Sequence, residues 1–85
     1  MHLEATERFE KDYRALPPEL KLRVKKTLRL LAQHPTYPSL HHKKMAGHED
    51  VYEVRVTDGY RLTYQRVGDV GHLRRVGPHD ILRHP

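Results

Sequence analysis

Apolar and polar residues alternate from Val51 to Tyr64, with one break at Asp58-Gly59, and this pattern predicts a β-hairpin. Tyr52, Val54 and Val56 fall on one face of the first arm, with Glu53, Arg55 and Thr57 on the other. Beyond the turn, Tyr60, Leu62 and Tyr64 continue the apolar set against Arg61, Thr63 and Gln65. Asp-Gly supplies positive-φ positions cheaply, so a tight turn is expected between the arms. A Gly68-Asp69 turn leads into a third run, Val70 to Val76. There His72 and Arg74 share the parity of Val70, so a bulge or an edge position is expected.

Upstream, the apolar period changes from two to that of a helix. Thr6 suits an N-cap and Glu7 the first turn, where the helix dipole favours an anion. Phe9, Tyr13 and Leu16 then recur at i, i+4 and i+7, until Pro17-Pro18 stops the helix. Pro18 also suits the opening of a second helix, in which Leu20, Val24, Leu28 and Leu31 repeat through Ala32. Lys21, Arg23, Lys25, Lys26 and Arg29 lie opposite them. Leu3 to Ala5 fits a short edge strand before the first helix, and His34 to Ser39 is a proline-punctuated connection. His41 to Gly47 reads as a polar, basic segment, and Gly77 to Pro85 as no more than a turn. The implied fold class is α+β: two N-terminal helices packed on one face of a small twisted antiparallel sheet, in one domain spanning 1–85.

Composition narrows the partners. With 16 Lys and Arg against 11 Asp and Glu the formal charge is +5, which favours nucleic acid or another polyanion. Cysteine is absent, so disulfides and thiolate chemistry are excluded. No apolar run resembles a signal peptide or a membrane span, so a cytoplasmic protein with no membrane partner is expected. The eight histidines are scattered, apart from the adjacent His41-His42, and show no metal-ligand spacing; neither a metal nor a cofactor is expected. The outer face of the hairpin is the chemically distinctive surface. Arg55 and Arg61 stand on neighbouring arms beside Glu53, and guanidinium groups so placed suit a phosphate.

The two helices, Lys44-Met45-Ala46-Gly47, Gly59-Tyr60-Arg61-Leu62-Thr63-Tyr64 and the closing Val76-Gly77-Pro78-His79 come in an order that resembles the RelE/ParE superfamily of type II toxin–antitoxin toxins. The resemblance covers nearly the whole chain. It implies either a RelE/YafQ-like toxin that cleaves messenger RNA on the ribosome, or a ParE-like inhibitor of DNA gyrase. A catalytically inactive RNA- or partner-binding module of the same fold is a third alternative. For the nuclease branch, the resemblance assigns Arg55 and Arg61 to basic strand positions and His79 to the arginine-or-histidine position after the last strand. Glu53 departs from RelE itself, which has lysine there.

The implied reaction is metal-free attack of an RNA 2′-hydroxyl on the adjacent phosphate. It needs a base, a proton donor to the leaving oxygen and cations for the charge developing on the phosphate. His79 is the candidate acid, because imidazole titrates near neutral pH. Arg55 and Arg61 are the candidate phosphate clamps, and Glu53 the candidate base, with His42, Lys43 or Lys44 as alternatives. Lys43, Lys44, His42, Arg66, Lys25, Lys26 and Arg29 are candidate RNA-binding residues. The expected partners are the ribosome, its mRNA and a cognate antitoxin protein lying over the second helix or the basic sheet face. Self-association is left open.

Overall fold

Thr6 organises the start of the fold. Its hydroxyl accepts a hydrogen bond from the Phe9 N–H at 3.2 Å, as an N-cap does, and donates to the Leu73 carbonyl at 2.7 Å. A single side chain thereby starts a helix and docks it on a distant strand. The computed structural model describes residues 1–85 and contains β1 (His2–Ala5), α1 (Glu7–Arg14), α2 (Pro18–Gln33), β2 (Lys43–Lys44), β3 (Val51–Arg55), β4 (Tyr60–Val67) and β5 (Val70–Pro78). Short 3₁₀ turns occupy Pro38–Leu40 and His79–Arg83.

The sheet has five strands in the order β1-β5-β4-β3-β2. Strands β3 to β5 pair antiparallel, as expected; β2, inside the segment read only as polar and basic, adds antiparallel to β3, and β1 runs parallel to β5, so the sheet is mixed. Parallel pairing joins His2 to Val70, far apart in sequence, and leaves no local turn signal to read. The irregularity in β5 is a bulge. Thr63 opposes Arg75 while Tyr64 opposes Leu73, which leaves Arg74 as the extra residue. Strand β5 is not an edge; it lies between β1 and β4.

One face of the sheet carries the core. Phe9 and Leu16 come from the first helical segment, Val24 and Leu31 from α2, and Val54, Leu62, Tyr64, Leu73 and Val76 from the strands. Each predicted helical stripe is therefore the buried one. The Asp58-Gly59 connection is looser than expected: Gly59 does not adopt positive φ, and the link runs from Val56 to Gly59, closed by bonds between Thr57 and Tyr60. Positive φ is instead used at Gly68, in the two-residue turn joining β4 to β5.

Because β1 stops opposite Leu73, the rest of the β5 edge has no strand partner. Helix α1 covers it. Asp12 accepts the Val76 backbone N–H at 3.2 Å and the Arg75 Nε–H at 2.7 Å through one carboxylate oxygen. Both Asp12 and Arg75 side chains are largely buried, at 15% and 17% exposure. Asp12→Ala should orphan a strand N–H and strip the Arg75 guanidinium of its one acid partner, destabilising the fold by about 2 kcal/mol, the scale of hydrogen bonds to charged groups. Urea unfolding at neutral pH checks this, and a loss below ~0.5 kcal/mol would show that water replaces the carboxylate.

Candidate functional site

The β3–β4 register sets Arg55 directly opposite Arg61 on the sheet face away from the core. Like charges in that relation repel, so each must find local compensation. Arg61 turns back on the connecting loop. Its Nη1 donates to the carbonyls of Thr57 (2.6 Å), Asp58 (3.0 Å) and Tyr60 (3.2 Å). Neither Nε nor Nη2 of Arg61 has a protein acceptor, which leaves two guanidinium nitrogens able to donate to an anion. Arg55 forms an ion pair with Asp58 through Nη2 and donates from Nη1 to His41 Nε2 at 3.1 Å.

His79 lies at the same end of the sheet. Arg61 opposes Gly77 on β5, and the His79 N–H, two residues on, donates to the Gly59 carbonyl at 3.1 Å. The His79 ring is exposed and has no side-chain partner. Glu53 is half-buried on the outer face between Lys43 on β2 and Thr63 on β4, and it makes no ion pair. Arg55, Arg61 and His79 thus surround one loop, with Glu53 and Lys43 one step further along the sheet.

The remaining sequence candidates are dispersed. Lys44 opposes Tyr52, on the face opposite to Glu53, and pairs with Asp50 at 3.8 Å. Arg66 is five residues along β4 from Arg61, about 17 Å at strand rise. Its Nε donates to the Gly68 carbonyl, at the far end of the sheet. The α2 cations divide by helical geometry. Lys26 faces a groove beside the β3–β4 loop, Lys25 borders an apolar trough with Phe9, Tyr13 and Leu28, and Arg29 is exposed.

His42 is a structural residue here, not a free loop cation. Its Nδ1 lies 3.1 Å from the Pro35 carbonyl, which can only accept, so Nδ1 carries the proton. Its Nε2 is therefore the acceptor for the Tyr64 hydroxyl at 2.5 Å. The ring also packs against Tyr52 and Tyr64, which are stacked at 5.3 Å between centroids. Burial, with a smaller effect from Arg66, holds the His42 pKa below the ordinary histidine value. Burial also pushes the Tyr64 phenol up to about 12.

Three features escaped the sequence reading. Thr63 was expected on the open face, yet it is completely buried. Its hydroxyl donates to the Pro85 carbonyl at 3.0 Å, because residues 79–85 fold across β4 and β5. Arg74 Nε donates to the same carbonyl at 3.0 Å and Arg75 Nη1 to that of His84 at 3.2 Å, so two outer-face arginines hold this segment. His41 also went unnoticed as a partner of Arg55; it takes a left-handed φ of 44° beside the strand edge. No three His, Asp or Glu side chains converge as a metal site would require. No helix is long and apolar enough to cross a membrane.

No protein-family model matches the sequence, and no curated protein matches it. Solved structures do. A chain of the intact E. coli RelBE toxin–antitoxin complex is 29% identical and superposes with a TM-score of 0.73, over 91% of this chain and 94% of that one. E. coli YafQ is 18% identical with a TM-score of 0.76, covering 94% of each chain. The YoeB/ParE toxin of Agrobacterium tumefaciens is 16% identical with a TM-score of 0.77, covering 93% of this chain and 99% of that one.

The His42–Tyr64 bond sets a pH dependence. A lowered folded-state pKa means the unfolded chain binds more protons, so the contribution of His42 is present above about pH 6.5 and is lost as pH falls through the depressed value. Urea unfolding from about pH 8 to pH 5 should show the stability advantage of wild type over His42→Asn shrinking on acidification. A constant difference would mean the ring is equally content protonated.

Proposed function

We propose that this chain, a member of the RelE/ParE-like toxin superfamily, is the toxin of a type II toxin–antitoxin pair and cleaves ribosome-bound mRNA. The observation that carries the reading is the Arg55–Arg61 cross-strand pair with His79 anchored to the same loop. The loop compensates this like-charged pair only in part, leaving Arg61 Nε and Nη2 free and Arg55 on an exchangeable acid, and a phosphodiester is an anion whose oxygens match guanidinium geometry.

The mechanism follows from those groups and needs no metal. Arg61, through its free Nε and Nη2, and Arg55, on exchanging Asp58 for substrate, neutralise the scissile phosphate as charge accumulates in the transition state. Glu53 takes the proton from the 2′-oxygen as that oxygen bonds to phosphorus. His79 gives a proton to the departing 5′-oxygen as the old P–O bond breaks. The products are a 2′,3′-cyclic phosphate and a 5′-hydroxyl. Glu53 suits the base role because no cation pairs with it and it lies on the same face as the arginines. Lys43, directly opposite it, is placed to draw the RNA backbone onto this face. His42 and Lys44 do not share the face and take no part in the chemistry.

The partner is an antitoxin. The E. coli RelBE complex, a chain of which this protein resembles, is a toxin–antitoxin assembly. Covering the arginine face would neutralise the enzyme by occlusion.

Induced expression should arrest growth and produce mRNA cut within translated frames. His79→Ala should slow single-turnover cleavage on ribosomes by about 10²- to 10⁴-fold, the range for loss of a general acid. Arg61→Ala with His79→Ala should abolish the arrest. A fully toxic double variant would sink the assignment. Arrest with inhibited DNA supercoiling and intact mRNA would select a gyrase poison instead.

A further inference from the structure

Arg55 borders two surfaces. On one side it opposes Arg61 across the sheet; on the other it lines a groove of about 640 Å³ between α2 and the β3–β4 loop. The groove is also lined by Arg23, Lys26, Ser39, His41 and Asp58. Arg23 and Lys26 stand at i and i+3 on α2, so they project together, and neither has a carboxylate within ion-pair distance. Five cations elsewhere are paired, Arg8 and Arg75 with Asp12, Arg14 with Glu10, Lys44 with Asp50 and Arg55 with Asp58, whereas none of the five on α2 is. Asp58 is the one acid lining this groove. Its carboxylate is 88% exposed and is spent on Arg55.

We propose that this groove is a second phosphate subsite, in which Arg23 and Lys26 hold the backbone of single-stranded RNA continuing from the sheet-face site. The inference rests on the RNA-cleaving reading but concerns binding, not chemistry. Arg55 is the junction. In the free protein its guanidinium is occupied by Asp58 and His41, both at the groove rim. An RNA strand crossing from the Arg61 side to the α2 side passes that guanidinium and offers it a phosphate in place of Asp58. An exposed ion pair is held weakly and screened by salt, so the exchange is easy. Asp58 is in this sense a built-in competitor: it keeps Arg55 oriented while the groove is empty and gives way when a phosphodiester arrives. His41 on the far side keeps the guanidinium from swinging into solvent when Asp58 lets go.

The probe is RNA with every 2′-hydroxyl methylated, which cannot be cut, at lengths of about four and about twelve nucleotides, titrated with the full chain over a range of salt. Arg23→Ala with Lys26→Ala should weaken the longer RNA about tenfold at low salt and reduce its salt slope by about 1.4, two lost single-strand contacts. The shorter RNA, filling only the sheet-face site, should change less than about twofold. Asp58→Asn should tighten the longer RNA. Lys11→Ala with Arg14→Ala on α1, the same loss of charge away from the groove, should leave its salt slope near wild type.

The subsite is overturned if the groove and α1 variants weaken the longer RNA equally, if both lengths weaken together, or if neither length binds. Loss of the nuclease reading has a different signature, because it appears as intact ribosomal mRNA whatever the binding curves show. Wild-type binding of the longer RNA by the groove double variant, alongside loss of both lengths in Arg61→Ala, would remove the groove and leave the sheet-face site standing.

Discussion

The register between β3 and β4 is the constraint on which the molecule turns. On the core side it stacks Tyr52 on Tyr64 and sets Val54 opposite Leu62; on the outer side the same pairing sets Arg55 opposite Arg61. A slip of one residue would send every one of these side chains to the wrong face. Burial of Val54, Leu62 and Tyr64, all essentially inaccessible, forbids the slip. Apolar packing therefore enforces an electrostatically unfavourable arrangement on the opposite face. The loop between the strands partly relieves it, with Asp58 on Arg55 and three carbonyls on Arg61. That relief leaves two donors on Arg61 and one exchangeable partner on Arg55, which is the condition a phosphate site needs.

The segment after β5 decides how much of the outer face stays open. Four arginines belong to that face, but Arg74 and Arg75 bond the carbonyls of Pro85 and His84 and so fasten the segment over Thr63. Ile81 packs against Gly77 so closely that a Cβ there would meet its Cγ2 at 2.9 Å. Glycine at 77 is thus a matter of space. The segment closes the β4–β5 half of the face and confines the available guanidinium groups to the β3–β4 end. Its first residue, His79, is held there by the Gly59 carbonyl.

What the sequence revealed was mostly local. The Thr6 cap, the Pro17-Pro18 break, both helical stripes and the hairpin alternation each depend on neighbours within a few residues, and each is present. Contacts between distant residues were the hidden part. Nothing near His2 announces a parallel partner at Val70, and nothing near Asp12 announces an unpaired N–H at Val76. Thr63 had the parity of an exposed residue and is buried by a segment more than twenty positions away in the chain. His42 read as part of a basic loop because its acceptor and donor, Pro35 and Tyr64, belong to other elements. For the candidate site, alternation placed Arg55, Arg61 and Glu53 on one face, and the family resemblance placed His79 beside them. Alternation is silent about rotamers, so neither the turn-capping of Arg61 nor the grip of Asp58 and His41 on Arg55 was visible.

The net charge gains meaning from where it is left unanswered. Acids are not evenly spread: Glu10 and Asp12 serve α1 and β5, Asp50 serves Lys44, and Glu4 sits between His2 and His72. Helix α2 carries five cations and a single acid, Glu19, in its first turn, and forms no ion pair. A run of five unpaired cations therefore lines α2, next to the β3–β4 end. A field of that shape steers a polyanion toward one side of the molecule before any specific contact forms. The same run of cations lies beside the loop that Arg61 caps and to which the His79 backbone is anchored.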